Sequence, residues 1–415
     1  MPAIEVRTLA CGMPLIVERI PDVRSVGVTW LLPAGSAAEP ENRQGMGAMW
    51  SHLLLRGAGS LDSRGQAEAW DALGVSRGAD VHTMALEFSA TLLGSRLLDL
   101  LPLLVDAVRR PRMEEASVDA VRDICEQALA ALDDEPQDKA MVLLKERHAP
   151  EPLNRSGLGA ADGLAALTRD DLLEEWAARA VPTGSVLAIA GDARMSEIAP
   201  ALDRLLDGWR GSPPLIKQGP APARGYSHVA LQSQQVHIAV AHDAPPEPSE
   251  DAAKERLTAA VLSGGSSSRL FTEVREKRAL CYTVHASYGG DRDFGRVTAH
   301  AGTTPERAQE TLDVLWAELV RLTRAGGGEV TAEEHARALT GLKSRVVMSG
   351  ESTTARAGAL AQDWRRLGRA RSLDELIGAL TAVTLDDLNA YIRLRDPGRA
   401  TILTLGPTAL TPPAR

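Results

Sequence analysis

Two short stretches of this sequence hold the side chains most able to do chemistry. GMGAMWSHLLLRG, Gly45 to Gly57, carries one imidazole, His52, beside the hydroxyl of Ser51, in an apolar helix-like segment bracketed by glycines. An imidazole can ligate a metal or carry a proton, but a zinc site needs three or four protein ligands. TEVREKRAL crowds Glu273, Arg275, Glu276, Lys277 and Arg278 together, and LCYTVHASY then places Tyr282 on a strand. Guanidinium and phenol groups donate hydrogen bonds to oxygen. Taken alone, however, such a run reads as a solvated helix face and Tyr282 as an ordinary strand aromatic. The other candidates are weaker. The nine histidines are scattered, with no H-x-x-x-H and no Cys/His cluster. His237 and His242, in HIAVAH, are five apart and on a strand point to opposite faces. SGGSSSRL lacks the lysine of a phosphate-binding loop, so a turn between helices is expected.

The elements that must position these residues form a duplicated pattern. LTRDDLLEEWAARAVPTGSVLAIAGD, Leu167 to Asp192, and VTLDDLNAYIRLRDPGRATILTLGP, Val383 to Pro407, share one plan. Each has a capping threonine (Thr168, Thr384), two acidic residues, a short amphipathic helix, a Pro/Gly turn and a strand ending at glycine. Upstream, VGVTWLLPAGS matches QVHIAVAHDAP as alternating strands. LLDLLPLLVDAVRR matches AQETLDVLWAELVRL, and EASVDAVRDICEQALAAL matches AEEHARALTGLKSRVV, as amphipathic helices. A period this long means a duplicated domain rather than a solenoid. Periodicity stops in WRGSPPLIKQGPAPARG, Trp209 to Gly225, where Pro and Gly cluster. The expected division is 1–210, a linker at 211–225, and 226–415. The expected class is α+β, with each domain an antiparallel-rich sheet packed with helices.

Composition narrows the function classes. At 415 residues the chain needs more than one core. A net charge of −9 with no long basic run argues against nucleic acid as the main partner. Cys11, Cys125 and Cys281 are widely spaced and form no C-x-x-C, which suits a reducing compartment. The first twenty residues lack a basic start followed by an apolar run, and no stretch reaches membrane-spanning length, so no signal peptide and no membrane are expected. The cytoplasm is the expected location.

The order of elements resembles the pitrilysin/insulinase family of zinc metallopeptidases, the inverzincins, which include mitochondrial processing peptidase, over nearly the whole chain. The resemblance implies two similar domains forming half of a clam-shell chamber. In active members a helix carries H-x-x-E-H. Two histidines one turn apart bind zinc, the Glu activates the metal-bound water, and a downstream Glu is the third protein ligand. Here AMWSH occupies the motif. Ala48 stands for the first His, Ser51 for the catalytic Glu, and His52 alone survives. On the helix resembling VRDICEQALAALDDEP, counting back from DDEP puts Ala128 at the third-ligand position and Val121 at an acidic position upstream. A two-residue shift would bring Glu126 there instead. Even so, one His and one Glu fall short of a catalytic zinc site. No metal or cofactor is therefore expected on this chain, and His52 is read as a leftover side chain making a local hydrogen bond.

LSGGSSSRLFTEVREKRALCYTVHASYGG, Leu262 to Gly290, resembles the family's second half more closely. There an Arg and a Tyr bind substrate backbone near the scissile bond, and by position these are Arg275 and Tyr282. Both could donate to a carbonyl oxygen that gains charge in the transition state. The glycine-rich loop of the processing peptidase α subunit is absent. The resemblance thus implies the non-catalytic subunit of a heterodimeric zinc metalloendopeptidase. A paralogous chain with intact H-x-x-E-H would bring the zinc, and unfolded or short peptides would be the substrate. The rival is a structural subunit, like the family members in the core of a respiratory complex.

Overall fold

The computed structural model describes residues 4–323 and 328–413. The first half runs β1 (Ile4–Thr8), β2 (Pro14–Arg19), β3 (Ser25–Leu32), α1 (Met46–Leu53), α2 (Ser63–Ala72), β4 (Ser76–Val81), β5 (Leu86–Leu93), α3 (Leu97–Arg109) and α4 (Glu115–Ala130). It continues through α5 (Pro136–His148), α6 (Ala161–Ala166), α7 (Arg169–Arg179), β6 (Val186–Gly191) and α8 (Met195–Leu205). The second half runs β7 (Tyr226–Ala230), β8 (Val236–Ala244), α9 (Ala252–Ser263), β9 (Cys281–Gly290), β10 (Gly295–Thr303), α10 (Ala308–Arg321) and α11 (Ala332–Gly350). It closes with α12 (Thr353–Leu367), α13 (Leu373–Thr381), α14 (Leu385–Leu394) and β11 (Thr401–Gly406).

The duplication is visible in the sheets. One has the order β1-β2-β6-β3-β5-β4 and the other β7-β11-β8-β10-β9. In each, the strand after the capped helix pairs parallel on one side and antiparallel on the other: β6 with β2 and β3, β11 with β7 and β8. Thr168 and Thr384 both close capping boxes, with Asp171 and Asp387, which satisfies two orphan N–H groups at each helix start. Helix α3 buries Leu97, Leu100, Leu101, Leu104, Val105 and Val108, the stripe of an amphipathic helix. Strand β5 buries Leu86, Phe88, Ala90 and Leu92 in alternation. The expected α+β class and sheet-and-helix plan are what the chain adopts.

The compact units are not the two contiguous halves on either side of the linker. One comprises residues 1–131, 150–220 and 349–371, the other 132–149, 221–348 and 372–415. The central strands explain the exchange. Strands β6 and β11 are buried along their whole length, so each sheet needs cover on both faces. In the first unit α12 supplies it, packing Ala357, Leu360 and Ala361 on Ile16, Leu31, Val186 and Ala188. Arg356 of that helix forms a buried ion pair with Glu18 on β2. In the second unit α5 packs Ala140 and Leu144 on Ala239, Ala241, Leu403 and Leu405. His148 at its end meets Thr401 Oγ1 at 3.1 Å.

Candidate functional site

In the second unit SGGSSSRL turns out of α9 as expected, and the charged run that follows opens into a wider helix. Phe271–Glu276 form a π-turn, in which Lys277 N–H donates to the Thr272 carbonyl at 2.9 Å. Such turns are rare and gather at functional sites. The turn leads to Ala279, whose φ of 50° lies in the left-handed region that a Cβ disfavours. Arg307 pins this corner by donating to the Ala279 carbonyl, and Thr303 Oγ1 donates to the Leu280 carbonyl at 2.6 Å.

Strand β9 then begins on a bulge. Cys281 pairs with Thr303 and Thr283 with Gly302, so Tyr282 is the extra residue. A bulge takes one residue out of the ladder and re-aims its side chain. Tyr282 is 83% exposed, and its freed carbonyl accepts from Arg275 Nη1 at 2.9 Å. The Arg275 guanidinium also lies 5.1 Å from the centre of the Tyr282 ring and 4.7 Å from that of Phe271. Arg275 and Tyr282 are therefore in contact, while Glu273 takes Lys277 and Arg278, each at 2.7 Å. Most of the run is solvated surface, and Arg275 is its exception.

The first stretch offers far less. Helix α1 buries Met46, Met49, Trp50 and Leu53. Ala48 has no donor atom, and the Ser51 hydroxyl donates to the Ala48 carbonyl at 2.7 Å. His52 stands off the buried face and is exposed. The local hydrogen bond expected of it is not made among the described residues. Partial burial and the nearby Arg56 lower its pKa. Helix α4 packs against α1. It turns Val121 fully inward, while Glu126 and Ala128 are both exposed. These residues do not fit a zinc ion: Ala48 and Ala128 end in methyl groups, the Ser51 hydroxyl is engaged with a carbonyl, and the His52 imidazole with the Glu126 carboxylate falls short of three ligands. Among the described residues no three His, Cys, Asp or Glu side chains gather as a metal site.

A residue the sequence did not single out anchors this helix. Buried Glu39 accepts from Gly45 N–H at 2.8 Å and Gly47 N–H at 2.7 Å, capping α1. A Cβ at position 47 would sit 2.9 Å from the Glu39 carboxylate and 2.8 Å from Val81, so the glycine permits the approach. Burial pushes the Glu39 carboxyl up to about 7, against the pull of the two N–H groups, Arg155 and Arg179.

The family described as Insulinase (Peptidase family M16) matches residues 15–159, and the one described as Peptidase M16 inactive domain matches residues 166–342. The chain belongs to the M16, or pitrilysin/insulinase, peptidase family. An uncharacterized zinc protease of Mycobacterium tuberculosis (strain ATCC 25618 / H37Rv) is 27% identical over 409 residues, covering 96% of this chain and 92% of that protein. Among solved structures, a peptidase M16 inactive domain from Pseudomonas fluorescens has a TM-score of 0.86 at 19% identity, covering 100% of both chains. A chain of complex III2 from Candida albicans has a TM-score of 0.82 at 16% identity, covering 97% of this chain and 96% of that one. Both likenesses concern the fold. No helix among the described residues is long and apolar enough to cross a membrane.

Two polar clusters of this M16 chain escaped the sequence. As the alternation predicts, His237 and His242 leave β8 on opposite faces. His237 Nδ1 meets His300 Nε2 at 3.2 Å, and the His300 ring lies 5.4 Å from both the His237 and His285 rings. This row forms because β8, β10 and β9 are neighbours, which sequence spacing cannot show. Burial, then the neighbouring imidazoles, push His300 down to about 3. On the other face His242 Nε2 accepts from Arg395 Nη2 at 3.0 Å, and its Nδ1–H donates to the Asp243 carbonyl at 2.9 Å. Burial and Arg395 lower its pKa to about 4. Burial alone would raise the pKa of Glu255, but Arg395, His242 and Tyr391 hold it below the usual carboxylate range. Both clusters are buried and lie outside the Arg275–Tyr282 contact.

Proposed function

We propose that this chain is the non-catalytic subunit of a two-chain zinc metalloendopeptidase. A paralogous chain with intact H-x-x-E-H supplies zinc and the general base. This chain supplies Arg275 and Tyr282, which donate to the backbone of an unfolded or short peptide and stabilise the oxygen that gains charge as the bond is attacked. One asymmetry carries the reading. The Arg275–Tyr282 contact is assembled and open to solvent, whereas positions 48, 51 and 128 hold nothing that fits the metal. Three free cysteines support a reducing compartment, and the cytoplasm is the proposed location.

The reading is tested by assaying each chain alone and both together on a panel of short peptides. Cleavage by the mixture and not by either chain alone is expected. Chelator-sensitive cleavage by this chain alone, with contaminants excluded, overturns the division of labour. A second reading, a structural subunit of a larger assembly, is favoured by the likeness to a chain of complex III2. It assigns Arg275 and Tyr282 no substrate, so substitutions there would leave its function intact.

A further inference from the structure

We propose that Phe271 is a positioning residue, clamping the Arg275 guanidinium against Tyr282 so that its free N–H groups face a substrate carbonyl. The inference rests on the role proposed above for Arg275 and adds a residue to it. Phe271 is one of only three phenylalanines in the chain, and a ring of that size normally joins a core. This one does not. It is half-buried and belongs neither to the buried cluster of its unit nor to the side chains packed against that cluster. Its ring instead faces Arg275, with the guanidinium 4.7 Å from its centre, while Tyr282 faces the same cation at 5.1 Å.

The choice of an aromatic clamp has a chemical consequence. No carboxylate pairs with Arg275 among the described residues. Glu276, next to it in sequence, makes no ion pair with it, and Glu273 is occupied by Lys277 and Arg278. A carboxylate would orient a guanidinium but also neutralise it. A ring face orients it and leaves its charge and N–H groups available. One N–H is spent on the Tyr282 carbonyl, which the bulge has freed. The π-turn sets Phe271 and Arg275 on one side of the helix, and the pinned corner at Ala279 and Leu280 fixes the distance to Tyr282. Backbone and rings thus hold a cation that would otherwise sample many rotamers.

The test compares Phe271→Leu, which keeps apolar bulk without a ring face, with Phe271→Tyr, which keeps the face. The first readout needs no partner. In the full chain labelled with ¹⁵N-arginine, the Arg275 Nε–H resonance is identified by its loss in Arg275→Lys. A ring-current displacement is expected in the wild type and in Phe271→Tyr. In Phe271→Leu it moves toward the position of free arginine. The second readout is turnover of the two-chain enzyme. Phe271→Leu should lower kcat about 2- to 5-fold with KM nearly unchanged, as for loss of one cation–π contact at a part-exposed site, and Phe271→Tyr should restore it. A resonance unmoved in Phe271→Leu overturns the clamp. So does wild-type kcat for Phe271→Leu in an enzyme that Arg275→Ala disables. If Arg275→Ala itself leaves turnover intact while the resonance moves, the split-site reading falls and the clamp survives as a structural contact.

Discussion

Removing the Tyr282 hydroxyl should cost turnover and almost no stability. The ring is 83% exposed, its hydroxyl has no partner among the described residues, and Tyr282→Phe keeps the face on which Arg275 rests. Folding free energy should therefore move by no more than about 0.5 kcal/mol, as for surface changes generally. If the hydroxyl donates to the developing oxyanion, its loss lowers kcat about 10²- to 10³-fold, or roughly 2.7–4 kcal/mol of transition-state stabilisation. Arg275→Ala removes a donor too, but also empties the space between Phe271 and Tyr282. Each lost cation–π contact is worth about 0.5–1 kcal/mol at a part-exposed site, and the hydrogen bond to the Tyr282 carbonyl roughly another 1 kcal/mol. Because the two residues touch, the double variant should depart from additivity by about 0.5–3 kcal/mol. The assay is kcat and KM of the two-chain enzyme for each variant, with subunit association measured separately. Should both donors grip the ground state equally, the loss will appear in KM alone. Unchanged kcat/KM in both single variants and in the double variant would remove the pair from the mechanism and leave only the structural reading.

Further outcomes follow from the same structure. After removal of adventitious ions, metal analysis of the isolated chain should find less than stoichiometric zinc, and His52→Ala should not change it; one tightly held zinc lost on that substitution would sink the reading of α1. Leu360 is fully buried under the first sheet, so Leu360→Ala should cost about 2–5 kcal/mol in chemical denaturation, and fragments 1–215 and 216–415 should fold only when mixed, since each lacks the helix covering one face of its sheet. His300 and His242, held down to about 3 and about 4 by burial, titrate near 6.5 once unfolded, so their contribution to stability is complete above that value and is lost as pH falls below it; His300→Leu should flatten the fall in denaturation midpoint between roughly pH 6.5 and 4, and an unaltered slope would show that His300 is not one of the groups responsible.

The sequence read well wherever the signal was local. Thr168 and Thr384, each followed by two acidic residues, announce helix starts, and both cap the helix that follows. Alternation in VGVTWLL and HIAVAH marks β3 and β8 and puts His237 and His242 on opposite faces. What stayed hidden depends on which element lies next to which. The apolar stripe of α12 says that it must be buried, but not that Leu360 and Ala361 cover the sheet of the other half. The linker at 211–225 is plain in its prolines, yet a break in periodicity cannot reveal that two helices pass beyond it. The histidine row needs the pairing of β8, β10 and β9, and no spacing of positions 237, 285 and 300 encodes that. The same limit applies at the site. Read along the chain, Phe271, Arg275 and Tyr282 belong to a surface helix and a strand. One π-turn, the corner at Ala279 and one extra residue in β9, set by the register against β10, bring the three together. A single residue deleted between positions 276 and 281 would keep Phe271, Arg275 and Tyr282. It would also slide Tyr282 into the ladder, pair its carbonyl with a strand and turn its ring off Arg275. The function proposed for this chain therefore rests on local register as much as on residue type.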